Sequence, residues 1–271
     1  MTTADRVWHV FAREVRAAAR SRSYLALGLV TVVAVFGVAI AGGGPTGGYV
    51  PTVVDVLVVV ELLVPAVAFA IGYRALSDPI SRGELDVLET YPLPIWGYVG
   101  GTYAGRAVIL VAVVGVPLAA LGVHVATTAG PETTVFASHR GVDSPLLYLR
   151  FLAITLVYGL VSLSLAVLLS VLAGSRSRAL VLSLAGLLVL TVGGDVAVFA
   201  ALDGGILTSE SLGGALSVTP AGAYRGLVFD QVLYVAVPIR SSFVPGWLAT
   251  VALGGWWVST LVGAAAVAQL R

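Results

Sequence analysis

The chain of 271 residues is 58% hydrophobic and only 11% charged, and its mean hydropathy is +1.00. An ordinary soluble domain is about 25% charged, and a water-exposed fold of this composition would present large apolar patches. The composition excludes an ordinary soluble protein, and the formal net charge of +1 gives no indication of a nucleic-acid partner.

Two residue types are missing altogether. The chain has no cysteine, which excludes disulfides, thiolate nucleophiles, iron–sulfur clusters and Cys-ligated zinc. All 15 cationic side chains are arginine, so the chain lacks the lysine with which a GxxxxGK[ST] loop contacts ATP phosphates. The three histidines, His9, His124 and His139, are too far apart in the predicted topology to form one site. We therefore expect no catalytic, cofactor-binding or metal site in this chain.

Residues 1–23 are predicted to hold an amphipathic helix. At 100° per residue, one arc of about 80° carries the basic side chains Arg6, His9, Arg13, Arg16 and Arg20. The opposite side carries Val7, Trp8, Val10, Phe11, Val15 and Ala18, with Glu14 intruding. This pattern favours a helix in the membrane interface whose arginines face anionic headgroups. A plain basic flank, which needs no periodicity, is the alternative.

Six apolar stretches follow, over residues 24–41, 53–71, 99–124, 148–173, 179–202 and 247–270. Each has roughly the 20 residues that a helix needs to cross a bilayer. Pro65 and Pro117 are tolerated inside them, because neighbouring helices can satisfy the freed backbone groups. The sequence predicts an all-α polytopic membrane protein with one transmembrane domain, residues 1–271.

Arginine placement predicts the orientation. Arg140, Arg150, Arg225 and Arg240 fall on one side of the predicted membrane, and the other eleven of the 15 arginines fall on the other. Cytoplasmic segments carry the excess of basic residues, so we expect both termini in the cytoplasm and the chain in the plasma membrane. The triplet Ala39-Ile40-Ala41 resembles a signal-peptide cleavage site. The apolar run before it exceeds the usual 7–15 residues or so, so we expect a span there.

The loop after the second span is predicted to contain a short amphipathic helix, Ile80–Tyr91. Pro79 can open this helix and Pro92 can end it. One face carries Arg82, Asp86 and Glu89, and the other carries Ile80, Leu85, Val87, Leu88 and Tyr91, with Glu84 among them. The acidic excess disfavours an anionic membrane surface and favours a groove on a protein partner. A helix on the membrane surface is the alternative.

The longest external connection, residues 203–245, is predicted to contain a short helix. Thr219-Pro220 can start it, and Tyr224 and Leu227 then share one side. We expect this helix to enter the outer leaflet. Its aromatic and valine content argues against the alternative of a disordered loop.

Three ionisable residues fall inside predicted spans, and such residues are functional candidates by default. Glu61 lies in the middle of the second span, Asp195 in the outer part of the fifth, and Arg106 in the inner part of the third. Arg106 can instead extend to the cytoplasmic interface, and Asp195 is within reach of the outer one. Glu61 is predicted either to pair with Arg106 on the adjacent helix or to act in transport.

These features together resemble an ABC-2-type transporter permease, in particular the permease of nitrous-oxide-reductase maturation systems and its archaeal and bacterial relatives. The segment Arg82-Gly83-Glu84-Leu85, followed by Val87-Leu88 and Tyr91-Pro92, resembles the family's loop. Gly101-Thr102-Tyr103-Ala104-Gly105-Arg106 fits except for Thr102, where the family usually has lysine, and Pro79-Ile80-Ser81 departs from its charged residues. The stretch from Thr219-Pro220 to Arg225 resembles an Asn-Pro-x-x-x-x-Arg segment, with threonine for asparagine.

The resemblance implies an exporter made of two permease subunits, identical or different, and two separate ATPase subunits that hold ATP and magnesium. The Ile80–Tyr91 helix would be the coupling helix that seats in an ATPase groove. The alternative function is an ATPase-independent secondary transporter, with Glu61 or Asp195 essential, or a membrane scaffold. The sequence shows no cargo.

Overall fold

The computed structural model of the chain describes residues 2–83, 94–129, 143–208, 211–236 and 245–270. Over these ranges the protein is helical, has no strand, and contains six helices long and apolar enough to cross a membrane. The predicted fold class, an all-α polytopic membrane protein, is confirmed.

The helices run in chain order as follows: α1 (Thr3–Ala19), α2 (Arg22–Gly42), α3 (Gly44–Gly47), α4 (Tyr49–Gly72), α5 (Ser77–Ser81), α6 (Ile95–Leu110), α7 (Val116–Thr128), α8 (Pro145–Ala173), α9 (Arg176–Leu188), α10 (Gly194–Asp203), α11 (Leu212–Val218), α12 (Pro220–Gln231) and α13 (Gly246–Gln269). Spans 1, 2, 4 and 6 are α2, α4, α8 and α13. Span 3 combines α6 and α7, and span 5 combines α9 and α10. The spans coincide with the predicted apolar stretches, with ends that differ by a few residues.

Spans 3 and 5 are each interrupted by a π-helical segment, at Val111–Gly115 and Val189–Gly193. The first directly precedes Val116-Pro117. A proline ring clashes with the carbonyl four residues earlier, and the wider π turn relieves that clash. The second directly precedes Gly194 and Asp195, so it sets the direction in which Asp195 leaves span 5.

Span 4 lies at the centre of the bundle and packs against spans 2, 5 and 6 and against α12. Its buried hydroxyl groups find partners, as groups away from water must. Ser164 and Thr260 on span 6 share a hydrogen bond of 2.6 Å. At Gly159 the helices approach closely, because an added Cβ would lie 3.1 Å from both Leu110 and Val64. A small residue at this crossing lets spans 2, 3 and 4 pack together.

Helix α1 is present where the sequence predicts an amphipathic helix. A capping box between Thr2 and Asp5 starts it, and the hydrogen bond from the Thr2 backbone N–H lowers the pKa of the Asp5 carboxyl. The helix packs against α6, so part of its apolar face meets span 3. Trp8 remains 61% exposed and stacks on Phe11 with ring centroids 5.0 Å apart. An exposed aromatic pair beside a basic face suits the membrane interface.

The loop after span 2 differs from the prediction at its start. Helix α5 ends at Ser81, Arg82 is its C-cap, and Gly83 has a φ of 68°. That left-handed conformation ends a helix, and glycine adopts it without a steric penalty. A continuous helix through Ile80 and Arg82 is therefore wrong at its beginning. The remaining predicted coupling-helix residues, Glu84, Leu85, Asp86, Leu88, Glu89 and Tyr91, lie outside the described residues.

Candidate functional site: an arginine between two carboxylates

Helix α12 starts as its sequence predicts. Thr219 is the N-cap, and its hydroxyl oxygen accepts a hydrogen bond of 3.1 Å from the Gly222 N–H. Pro220 occupies the first turn, where its missing N–H costs nothing. The Trp256 indole of span 6 donates to the Val218 carbonyl at 2.9 Å, which fastens the α11–α12 junction to that span. The helix predicted from Thr219-Pro220 is confirmed.

Helix α12 inserts into the bundle rather than lying on it. The rings of Tyr224 on α12 and Tyr158 on span 4 stack with centroids 4.5 Å apart, and both residues are fully buried. The Tyr224 and Thr155 hydroxyls lie 3.1 Å apart and share a hydrogen bond. A buried tyrosine needs such a partner, so the contact positions α12 against span 4.

The next residue, Arg225, lies between two intramembrane carboxylates. Its Nε donates to Glu61 Oε1 and Oε2 at 3.1 and 3.2 Å, and its Nη2 donates to Glu61 Oε1 at 2.6 Å. The same Nη2 donates to Asp195 Oδ2 at 2.8 Å. Glu61, Asp195 and Arg225 form what we call the carboxylate–arginine cluster. It joins span 2, span 5 and α12 through charge-assisted hydrogen bonds.

A close approach of two backbones brings Asp195 to this cluster. An added Cβ at Gly194 would lie 2.8 Å from Thr219 Cγ2, so only glycine lets the start of α10 meet the start of α12. The π turn before Gly194 also shifts the register of α10 relative to α9. Together they direct Asp195 toward Arg225 rather than toward the membrane surface.

The cluster carries two acids and one base, hence a formal charge of −1. The exposed side-chain fractions are 11% for Glu61, 23% for Asp195 and 34% for Arg225. Asp195 Oδ1 is buried without a hydrogen-bond partner among the described residues. Charges away from water are costly unless paired, so the pairing of Arg225 with the two carboxylates helps to hold α12 in place.

The prediction that Glu61 pairs with Arg106 is wrong. The Nε of Arg106 lies 3.3 Å from Glu14 Oε2 on α1, an ion pair rather than an aligned hydrogen bond, and a guanidinium N–H donates to the Ile71 carbonyl. Glu61 lies about 15 Å from Ile71 along α4, at 1.5 Å per residue. Arg106 of span 3 therefore lies level with the end of span 2, whereas Glu61 lies near the middle of span 2.

Two partners that the sequence interpretation did not assign complete these pairs. Arg225 was placed in the external segment, although two intramembrane acids require a cation nearby. Glu14 was noted only as an intruder on the apolar face of α1, although an acid there requires a partner. In each case, an ionisable residue in an apolar segment with no assigned partner was the sequence signal that a residue of opposite charge must lie nearby.

A second set of contacts fastens the segment that follows span 2. The backbone N–H groups of Leu76 and Ser77 donate to the Ser170 hydroxyl of span 4 at 2.9 and 3.0 Å. Arg106 joins the end of span 2 to span 3 and α1 through Ile71 and Glu14. Of the predicted coupling residues, Ile80 lies on α5 and Arg82 pairs with Asp78 at 3.8 Å.

We call Ile71, Leu76, Ser77, Ser170 and the Glu14–Arg106 pair the loop anchor. It lies on the α1 side of the bundle, whereas the carboxylate–arginine cluster lies farther toward the opposite side.

No protein-family model matches the chain, and no curated protein matches it.

Proposed function

We propose that the chain is the membrane-spanning permease subunit of an ABC-2-type, ATP-driven exporter in the plasma membrane. It works with separate ATPase subunits and a second permease, and both of its termini face the cytoplasm. The single observation that carries the proposal is the loop anchor. A loop that transmits force from a partner must be fixed to the helices that it moves.

The loop anchor meets that requirement on two sides. Ser170 holds the backbone at Leu76 and Ser77 to span 4, and Arg106 holds Ile71 to span 3 and α1. A push on the loop is therefore passed to three spans rather than absorbed by a flexible connection. The segment that resembles an ABC-2 coupling loop begins directly after α5 in the sequence, at Arg82.

Span 2 extends the connection toward the opposite side. Its helix α4 is continuous from Tyr49 to Gly72 and carries both Ile71 and Glu61. Glu61 in turn holds Arg225 of α12. A displacement of span 2 at the loop anchor would therefore also displace α12, through the Glu61–Arg225 contact. Rocking between inward- and outward-facing states requires such a connection.

The function is tested with a candidate partner ATPase, sought among the neighbouring genes by its Walker motifs, then co-expressed with this chain and purified in nanodiscs. Leu85→Ala combined with Leu88→Ala should abolish both pull-down and stimulation of ATP hydrolysis, because helix-in-groove contacts depend on a few apolar anchors. Ser170→Ala should leave binding intact and reduce stimulation several-fold, since it removes hydrogen bonds worth about 1 kcal/mol each. No ATPase binding by the wild type would contradict the proposal.

Ser162→Ala is the matched control. Ser162 is also fully buried on span 4, but its hydroxyl donates only to the Tyr158 carbonyl of its own helix, at 2.8 Å. We expect its ATPase stimulation to equal that of the wild type. Equal loss in Ser162→Ala and Ser170→Ala would show that the loop anchor is not what transmits force.

The carboxylate–arginine cluster favours a second candidate, an ATPase-independent secondary transporter. Its formal charge of −1 and an Asp195 Oδ1 that has no hydrogen-bond partner in the described part of the chain are features of a site that takes up a proton or cation. In that case an ion gradient drives transport without ATP, and Asp195→Asn abolishes the gradient dependence while leaving the fold intact. An ATP-driven permease instead keeps ATP-dependent transport in that variant.

The orientation has its own test, for which the absence of cysteine is convenient. A cysteine at Ser138 should react with an impermeant maleimide in intact cells, whereas one at Ser175 should react only after lysis. The reason is the arginine distribution, which retains the basic segments in the cytoplasm. Labelling of Ser175→Cys from outside would reverse the proposed topology.

A further inference from the structure

A cleft opens between spans 4 and 6 on the side of the bundle opposite α1. Its volume is about 750 Å³. Its walls are the first turns of span 4, the last turn of α12 and the first three turns of span 6. From Gly246 to Trp257 it follows span 6 for about 16 Å, at 1.5 Å per residue.

The deep part of the cleft is apolar and opens sideways. Leu253 lies buried at its base, and Trp257 is held at its far end because the indole N–H donates to the Tyr103 hydroxyl at 2.7 Å. Val157 and Gly254 are exposed along its outer edge, where a membrane-spanning chain meets acyl chains. This part therefore suits a hydrocarbon chain that enters from the bilayer.

The mouth of the cleft is charged with both signs. Arg150 donates to the Gln231 carbonyl at 3.4 Å, and the Asp230 carboxylate accepts from the Gln231 side chain at 2.7 Å. Arg150 and Asp230 line the same cleft but form no salt bridge with each other. Each charge is thus available to a separate group of opposite sign.

We propose that this cleft binds a phospholipid-type amphiphile with a zwitterionic head group. The phosphate lies toward Arg150, the ammonium lies toward Asp230, and one acyl chain runs along span 6 to Trp257. Charge complementarity selects this occupant over an anionic lipid, which Asp230 repels, and over a neutral glyceride, which pairs with neither charge. The site stands independently of the ATPase, because binding needs this chain alone.

Two glycines of span 6 give a matched test. An added Cβ at Gly254 or at Gly255 meets nothing within 4 Å, so leucine fits the fold at either position. Of the two, only Gly254 lines the cleft, and Gly254→Leu places a branched side chain beside the path of the acyl chain. The full chain, purified in dodecyl maltoside, is titrated with lysophosphatidylethanolamine, and bound lipid is counted by native mass spectrometry. Lysophosphatidylglycerol and a monoacylglycerol serve as comparison probes.

We expect one tightly held lysophosphatidylethanolamine per wild-type chain. Gly254→Leu should weaken binding by at least about tenfold by narrowing the cleft along span 6, and Gly255→Leu by less than about twofold. Arg150→Gln and Asp230→Asn should each weaken it by about tenfold, and Asp230→Asn should leave lysophosphatidylglycerol binding unchanged or stronger. Wild-type binding by Gly254→Leu, or preference of the wild type for lysophosphatidylglycerol or the monoacylglycerol, overturns the proposal. Gel filtration of each variant confirms that it is folded.

Discussion

Arg225→Gln is expected to destabilise the folded chain by about 3 kcal/mol, the lower end of the range for removing one partner of a buried ion pair. The substitution leaves Glu61 and Asp195 as two neighbouring carboxylates with no cation between them. The lower end applies because the Arg225 side chain is 34% exposed, so water offsets part of the loss. The free energy of unfolding in mixed detergent micelles measures the effect.

Double-mutant cycles distinguish the observed Glu61–Arg225 pair from the Glu61–Arg106 pair that the sequence suggested. Glu61→Gln combined with Arg225→Gln should recover part of the stability lost in Arg225→Gln, because one of the two stranded carboxylates is gone. Glu61→Gln combined with Arg106→Gln should show simple additivity, since Arg106 pairs with Glu14 and Ile71. Coupling in the second cycle and additivity in the first would reject the carboxylate–arginine cluster.

The hydrophobic pattern was sufficient to predict the spans. A stretch of about 20 apolar residues has few structures available in a bilayer, because every backbone polar group must be satisfied within the segment. The start of α12 was equally predictable. Its Thr219-Pro220 pair combines a capping hydroxyl with a residue suited to the first helical turn, and both act within a few residues.

The partner of Glu61 was not predictable from local pattern. Glu61 and Arg225 are 164 residues apart, and their contact depends on the insertion of α12 beside span 4. The π turn before Gly194 changed the direction of Asp195, and a 3.6-residue period cannot anticipate that shift. Adjacent spans suggested Arg106 instead, but its height along span 3 matches the end of span 2 rather than its middle.

The sequence interpretation also did not predict the end of α5 at Ser81. The amphipathic period continues through Arg82 and Gly83, and periodicity alone does not tell a glycine inside a helix from a glycine that ends one. The structure places Gly83 at a φ of 68°, so the last turn closes at Ser81. A glycine after a single helical turn was the available signal.

Gly105→Leu is expected to release α1 from span 3. An added Cβ at Gly105 would lie 2.5 Å from the Cβ of Glu14 and 3.2 Å from the carbonyl oxygen of Phe11, and neither neighbour can move without shifting α1. Overpacking of this kind costs about 1–3 kcal/mol, which raises the undocked population by about 5- to 150-fold. Undocking also takes Glu14 away from Arg106, so the loop anchor loses its connection to α1, while Arg106 keeps its hydrogen bond to the Ile71 carbonyl.

Hydrogen–deuterium exchange of the α1 amides measures the undocking, with Gly100→Leu as the matched control. Gly100 lies on the same helix, α6, but an added Cβ there meets nothing within 4 Å. We expect faster exchange across α1 in Gly105→Leu, unchanged exchange in Gly100→Leu, and the same rate in spans 4 and 6 of both variants. Wild-type protection of α1 in Gly105→Leu would mean that α1 is held by the membrane interface alone. If docking of α1 requires Gly105, the Glu14–Arg106 contact of the loop anchor requires it as well. Gly105→Leu should then reduce ATPase stimulation, as Ser170→Ala does at the contact with span 4.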